Sequence, residues 1–255
     1  MSFTIPFEPL VFGIKLNMHL ILEYLAFFIA FRYYVFLRKK IKDSISSNNR
    51  LSIIIGAIVG ALICSRFIAF LENPMFHSQE YWFAILNNKT IMGGLFGGLL
   101  GVELSKKIIG EKKSSGDLFV LPIILGISIG RIGCFLAGIT EFTYGIETAS
   151  VFGIDLGDGV PRHPIALYEV VFLSILFIAL KKGMKKPSKF ENGAYFKFFM
   201  VCYFGLRFLI EFIKPNTFFV LSLSSIQYLS LICFLYYHKF IRKGIVYAYQ
   251  KLHLL

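Results

Sequence analysis

Residues 118–138 read LFVLPIILGISIGRIGCFLAG, an apolar run broken by a single charge, Arg131. A helix rises about 1.5 Å per residue, so roughly 20 such residues cross the ~30 Å hydrocarbon core of a bilayer. An arginine at that depth costs at least about 2.5–3.5 kcal/mol, so it must face a polar interior and find partners there. The stretch therefore points to a helical membrane protein that keeps ionisable groups inside the bilayer.

Similar runs lie at about 18–37, 51–71, 91–109, 164–181, 193–213 and 223–240. The chain is 56% hydrophobic, with a mean hydropathy of +0.68 and only 16% charged residues. A soluble domain of this length needs more surface charge than that. The net charge of +12 could suit a nucleic-acid binder, but the basic residues fall in short blocks between apolar runs. Alternate loops carry them: Arg38, Lys39, Lys40, Lys42 and Arg50; Lys106, Lys107, Lys112 and Lys113; Lys181, Lys182, Lys185, Lys186 and Lys189; then Lys239, Arg242, Lys243 and Lys251. The intervening segments hold only Lys15, Lys89, Arg162 and Lys214. Positive loops stay in the cytoplasm. The expectation is an all-α membrane protein of seven transmembrane helices, N-out and C-in, forming one polytopic domain over 1–255. It would be multi-pass, with its basic loops in the cytoplasm and no nucleic-acid partner.

The first run starts near Met18 behind the acidic Glu8 and is long enough to span, so it reads as a retained helix rather than a cleaved signal. Extracytoplasmic segments fall at 72–90, with the interfacial aromatics Tyr81, Trp82 and Phe83, and at 139–163, with turns at Gly145 and Asp158-Gly159. The Tyr, Lys and Leu content of 241–255 permits a helix at the membrane surface. Cys64, Cys134, Cys202 and Cys233 sit in apolar stretches without CxxC or Cys/His spacing, so neither disulfide nor zinc is expected. No metal and no cofactor is implied.

The chemistry concentrates in a few places. Arg131 stands in GRIGCF and Arg207 in YFGLRFLIEF, where Tyr203, Arg207 and Glu211 share a helix face at i, i+4, i+8. Arg66 lies in the second run, Glu23 and Tyr24 in the first, and Tyr168 and Glu169 open the fifth. Such groups either form ion pairs that fix helix packing or bind an anion. Guanidinium suits phosphate by bidentate hydrogen bonding, which suggests a lipid headgroup. In IMGGLFGGLLGVEL, Gly93, Gly97 and Gly101, with Gly94 and Gly98, make a small-residue face for close helix approach. The same face could leave room for a lipid.

These residues resemble the bacterial phosphatidylglycerol–prolipoprotein diacylglyceryl transferases. GRIGCFLAGITEFTYG at 130–145 is similar to that family's GRxGNFxNGE signature with its nearby glycine. PRHPIALYE at 161–169 is similar to its RHPxQLYE, and Tyr203, Arg207 and Glu211 fit its Tyr-x3-Arg-x3-Glu pattern. Tyr24, Arg66 and GGLFG at 93–97 are weaker matches. The chain departs from the pattern at Met92, where the family has histidine, and at Cys134 and Ala137 for its two asparagines. It departs again at Ala166 for glutamine, and two extra residues separate Gly138 from Glu141.

The resemblance implies a seven-span enzyme that joins the diacylglyceryl group of phosphatidylglycerol to the lipobox cysteine of a preprolipoprotein. Arg131 and Arg207 would take the leaving phosphate. Substrate contacts would fall to Tyr24, Arg66, Gly93, Gly94, Cys134, Gly145, Tyr168, Glu169, Tyr203 and Glu211. With methionine at 92, the thiol's base is Glu141 or His163, although His163 beside Pro164 also suits a loop-orienting role. Cys134 reads first as a small replacement side chain and second as a transient nucleophile beside Arg131. Two other readings use the same scaffold: a lipid-binding membrane protein without a working base, and a transferase with another acceptor. A transporter is disfavoured, because no inverted repeat is visible.

Overall fold

The structure is a computed structural model and describes residues 4–40, 43, 45–72, 88–185, 193–216 and 219–252. The aromatic cluster at 81–83 and the basic residues Lys42, Lys186 and Lys189 lie outside the described residues.

The elements run in order as a short hairpin of β1 (Leu10–Val11) and β2 (Ile14–Lys15), then α1 (Met18–Lys40), α2 (Ser47–Glu72), α3 (Ile91–Ile109) and α4 (Asp117–Ala137). A second small hairpin, β3 (Ile154–Asp155) and β4 (Pro161–Arg162), precedes α5 (Ile165–Met184), α6 (Ala194–Ile210), α7 (Ser225–Tyr236) and α8 (His238–Leu252). Both hairpins are antiparallel, with Leu10 opposite Lys15 and Ile154 opposite Arg162. The helices follow the apolar runs closely, with two differences. The run at 193–213 ends its helix at Ile210 and finishes in a 3-10 turn, Glu211–Ile213. The run at 223–240 breaks at Tyr237, whose φ of −96° and ψ of 14° end α7 before α8 begins.

Three of the described helices are long and apolar enough to cross a membrane: Met18–Lys40, Ser47–Glu72 and Asp117–Thr140, with mean hydropathies of 1.7, 2.4 and 2.1. Large apolar side chains such as Phe27, Phe28 and Phe31 on α1 and Ile58, Leu62 and Ile63 on α2 are exposed. Water would penalise that much contiguous apolar surface, whereas lipid would not. The chain is a multi-pass helical membrane protein.

The chain divides into two compact units, each discontinuous in sequence. One holds residues up to Asp43, 115–196 and 212–215. Here α4 packs on both α1 and α5. Gly126 and Gly133, seven residues apart, make the α1 contact close. A Cβ at Gly126 would lie 3.2 Å from the Ala30 Cβ, and one at Gly133 would lie 3.2 Å from the Leu22 Cβ and 3.3 Å from the His19 carbonyl oxygen. Tyr34 stacks on Phe119 at 4.6 Å between the same helices. At the start of α4, the Asp117 carboxylate accepts the N–H groups of Gly193 (2.7 Å) and Phe196 (2.9 Å), capping the first turn of α6 with a side chain from another helix.

The other unit holds 44–114, 197–211 and 216 onward. Its centre is α2 against α3, joined almost backbone to backbone. A Cβ at Gly97 would fall 2.3 Å from the Gly60 carbonyl oxygen, and one at Gly101 would fall 2.0 Å from that of Gly56. Small-residue spacing on both helices permits this approach, since a bilayer offers no hydrophobic force to press helices together. Thr90 caps α3 by accepting the Gly93 N–H at 2.9 Å, and Gly110 ends it in the left-handed region at φ 69°. A capping box of Ser224 and Gln227 starts α7.

Candidate functional site

The C-terminal part of α4 and the chain that follows it gather a polar cluster around a buried arginine. Arg131 is 6% exposed, and Glu169 on α5 is fully buried. The Arg131 Nε donates to Glu169 Oε2 at 3.0 Å. An arginine inside an apolar helix needs such a partner, and the carboxylate also fixes which way the guanidinium points. One terminal nitrogen of Arg131 lies 3.9 Å from the Cys134 Sγ, one turn along the helix. The same sulfur is 3.6 Å from Nε2 of His19, in the first turn of α1. The other imidazole nitrogen, Nδ1, is 3.3 Å from Glu141 Oε1.

Glycines at two positions shape this cluster. Gly133 lets the His19 backbone approach α4, as described above. Gly138 ends α4 with φ 59°, where a Cβ would meet the Leu156 carbonyl oxygen at 2.2 Å. The chain then turns through Gly138–Thr140 and brings Glu141 back toward His19. A small cavity of about 10 Å³ adjoins Cys134, between Phe135, Thr143, Tyr144 and Ala166. That is roughly the room one water needs.

The loop beyond is stitched rather than loose. The Gly145 N–H donates to the His163 carbonyl (3.0 Å), the Ile146 N–H to that of Ile213 (2.9 Å) and the His163 N–H to that of Ile146 (3.1 Å). A side chain at 145 would strike the His163 Cβ at 2.5 Å, so Gly145 allows these two chain segments to approach. His163 Nδ1 lies 3.1 Å from the Tyr168 hydroxyl. Asp158 pairs with Arg162 at 2.7 Å. The exposed Asp155 carboxylate accepts N–H groups from Gly157 and Gly159, and these hold it below the usual carboxylate range.

The remaining expected residues each have their own surroundings. Tyr24 is 69% exposed on α1. In the other unit, Arg207 donates to Glu211 Oε1 at 2.6 Å, and Glu211 also accepts from Asn216 and from the Ser224 Oγ at 3.2 Å. Gln227 Nε2 donates to the Phe208 carbonyl at 3.1 Å. This network ties the end of α6 to the start of α7. Tyr203, one turn before Arg207, is fully buried and stacked with Phe199. Arg66 reaches the Leu62 carbonyl at 3.3 Å. The Gly93 and Gly94 N–H groups are taken by Thr90, and Met92 beside them is buried. Glu211→Ala should leave the Arg207 charge buried without its carboxylate, at a cost on the order of 3–5 kcal/mol. A thermal melt in detergent should show a large drop in Tm; an unchanged Tm would mean that the network carries no stability.

The structure thus brings together Arg131, Cys134, Glu141 and Glu169, and adds His19, which sequence reading passed over. Its one signal was an imidazole at the mouth of an apolar run, four residues before Glu23.

Comparison with known proteins gives the family. Residues 9–241 match the family model for prolipoprotein diacylglyceryl transferase. A phosphatidylglycerol–prolipoprotein diacylglyceryl transferase of Finegoldia magna is 29% identical over 229 residues, covering 87% of this chain and 88% of that one. Proteins of the same name are 31% identical over 179 residues in Pasteurella multocida (68% and 62% covered) and 31% over 195 residues in Bordetella parapertussis (71% and 69%). The match takes in the α4 signature, the β4–α5 segment and the α6 arginine, and the chain belongs to the prolipoprotein diacylglyceryl transferase family.

Proposed function

We propose that this protein transfers the diacylglyceryl group of phosphatidylglycerol to the lipobox cysteine of preprolipoproteins. The carrying observation is a buried guanidinium, Arg131, oriented by Glu169 within the family's signature segment. The incoming thiolate attacks the glyceryl CH2, a C–S bond forms, and the C–O bond to phosphate breaks. Charge then grows on the departing glycerol phosphate. Arg131 stabilises that charge more in the transition state than in the ground state, which is the condition for catalysis. Arg207 is the second guanidinium we assign to phosphate, and Glu141 and His163 are the groups we assign to the thiol proton. Tyr24, Arg66, Gly93, Gly94, Gly145, Tyr168, Tyr203 and Glu211 are proposed to bind or frame the substrates.

The charge asymmetry of the loops supports seven spans with the N-terminus outside, and membership of a family with bacterial relatives supports the bacterial inner membrane. An amphipathic, basic α8 fits the cytoplasmic surface of an anionic membrane. The test is direct: protein in mild detergent, phosphatidylglycerol and a synthetic lipobox peptide, with the peptide followed by mass spectrometry. A diacylglyceryl mass gain is expected. No gain, in protein that still binds phosphatidylglycerol, would leave a lipid-binding protein or a transferase with a different acceptor.

A further inference from the structure

Cys134 is more than a small side chain in a gap. Its sulfur faces an imidazole at 3.6 Å, that imidazole is held through its other nitrogen by a carboxylate at 3.3 Å, and a guanidinium nitrogen lies 3.9 Å from the sulfur. A nucleophile beside a base, with the base oriented by a third group, is the arrangement of covalent catalysis. These groups come from α1, α4, the turn after α4 and, through Glu169, α5, so four separate parts of the chain converge on one thiol. Diacylglyceryl transfer to an external peptide thiol requires no resident thiol.

We propose that Cys134, His19 and Glu141 form a reactive centre, sharing Glu141 and Arg131 with the proposed transfer site, that takes an acyl group from a glycerolipid ester as a thioester. This does not rest on the diacylglyceryl transfer proposed above. His19 Nε2 accepts the Cys134 proton as Sγ attacks the ester carbonyl. The tetrahedral oxyanion forms beside the Arg131 guanidinium, which Glu169 keeps aimed at the sulfur. The C–O ester bond breaks, and the imidazolium gives its proton to the departing lysolipid alkoxide. Water then attacks the thioester with His19 again accepting a proton, fatty acid leaves, and the thiolate regains its proton. The net reaction is hydrolysis of one ester.

The position of the thiol agrees with this substrate. Cys134 lies three residues before the end of α4, about 4.5 Å along the helix from its last residue. The ends of an apolar spanning helix reach the interfacial layer, where the ester groups of glycerolipids lie. An alkyl transfer to Cys134 would be a dead end, because a thioether is a poor leaving group. A thioester can turn over.

The experiment separates these outcomes. Full-length protein in mild detergent is incubated with phosphatidylglycerol carrying isotope-labelled oleoyl chains. In a parallel arm the donor is a dioleoylglyceryl-cysteine peptide, which distinguishes a phospholipid ester from a lipopeptide ester. The expected result is a one-oleoyl mass gain on the peptide containing Cys134, released by neutral hydroxylamine, with labelled oleate accumulating beyond one equivalent. Cys134→Ala should lose both signals. His19→Gln should slow acylation at least about 100-fold, the usual loss on removing a general base. Diacylglyceryl transfer is measured in the same preparations, so either activity can fail alone. The proposal is overturned by wild-type protein that acquires no hydroxylamine-labile adduct, by a hydroxylamine-resistant diacylglyceryl mass on Cys134, or by equal labelling of Cys134 and Cys202.

Discussion

Arg131→Lys is expected to lower diacylglyceryl transfer at least about 100-fold while the protein still inserts and folds. Lysine keeps the positive charge, so the fully buried Glu169 retains a counter-ion. What it loses is the fork. In the native protein, Nε is occupied by Glu169 while a terminal nitrogen remains directed toward Cys134. One ammonium cannot hold both directions. Loss of one preorganised donor to a developing anion typically costs 10²–10³ in rate. The rate should be read from peptide mass gain at saturating phosphatidylglycerol, so that the loss appears in kcat. Arg131→Gln paired with Glu169→Gln removes both charges together and tests the same role without an orphaned buried carboxylate. Turnover near wild type in either variant would remove Arg131 from the proposed mechanism.

Gly97→Ala should destabilise the protein severely, whereas Gly98→Ala, one residue along the same helix, should be nearly silent. A methyl at 97 would lie 2.3 Å from both the Gly60 carbonyl oxygen and the Cys64 Cβ. The obstacle is partly backbone, so no rotamer change relieves it, and α2 and α3 must separate along their whole contact. Overpacking typically costs about 1–3 kcal/mol, and here separation would also loosen the Gly56–Gly101 and Cys64–Gly93 approaches. A methyl at 98 would find the Ala57 carbonyl oxygen at 3.6 Å and the Ala61 Cβ at 3.8 Å, ordinary contact distances. Melting in detergent compares the two. Equal Tm values would show that the helix pair is not set by this seam.

The contrast between Gly97 and Gly98 also marks where sequence reading stops. The four-residue spacing of small residues announced a close helix contact. It did not say which of the two interleaved rows, 93-97-101 or 94-98, makes that contact. The partner's Gly56 and Gly60 select the first row, and the choice depends on a crossing that one helix alone cannot encode.

The same division holds for the site. The bilayer imposes two local demands, about 20 apolar residues per crossing and a partner for any buried charge, and both are legible without coordinates. The sequence alone therefore determined the helical membrane class, the positions of the helices and the need of Arg131 for a buried partner, and its motifs carried the resemblance to the family. Through those motifs it also singled out Glu169 and Glu141 as candidates. His19 was beyond its reach, since 115 positions separate it from Cys134. Only the packing of α1 on α4, made possible where Gly133 has no side chain to hold the helices apart, brings the imidazole to the sulfur. The turn at Gly138, made at a positive φ of 59°, then returns Glu141 to the imidazole's other nitrogen. A helix's own sequence fixes its apolar faces over a few residues, whereas a cluster of thiol, imidazole, carboxylate and guanidinium is assembled by contacts between distant segments.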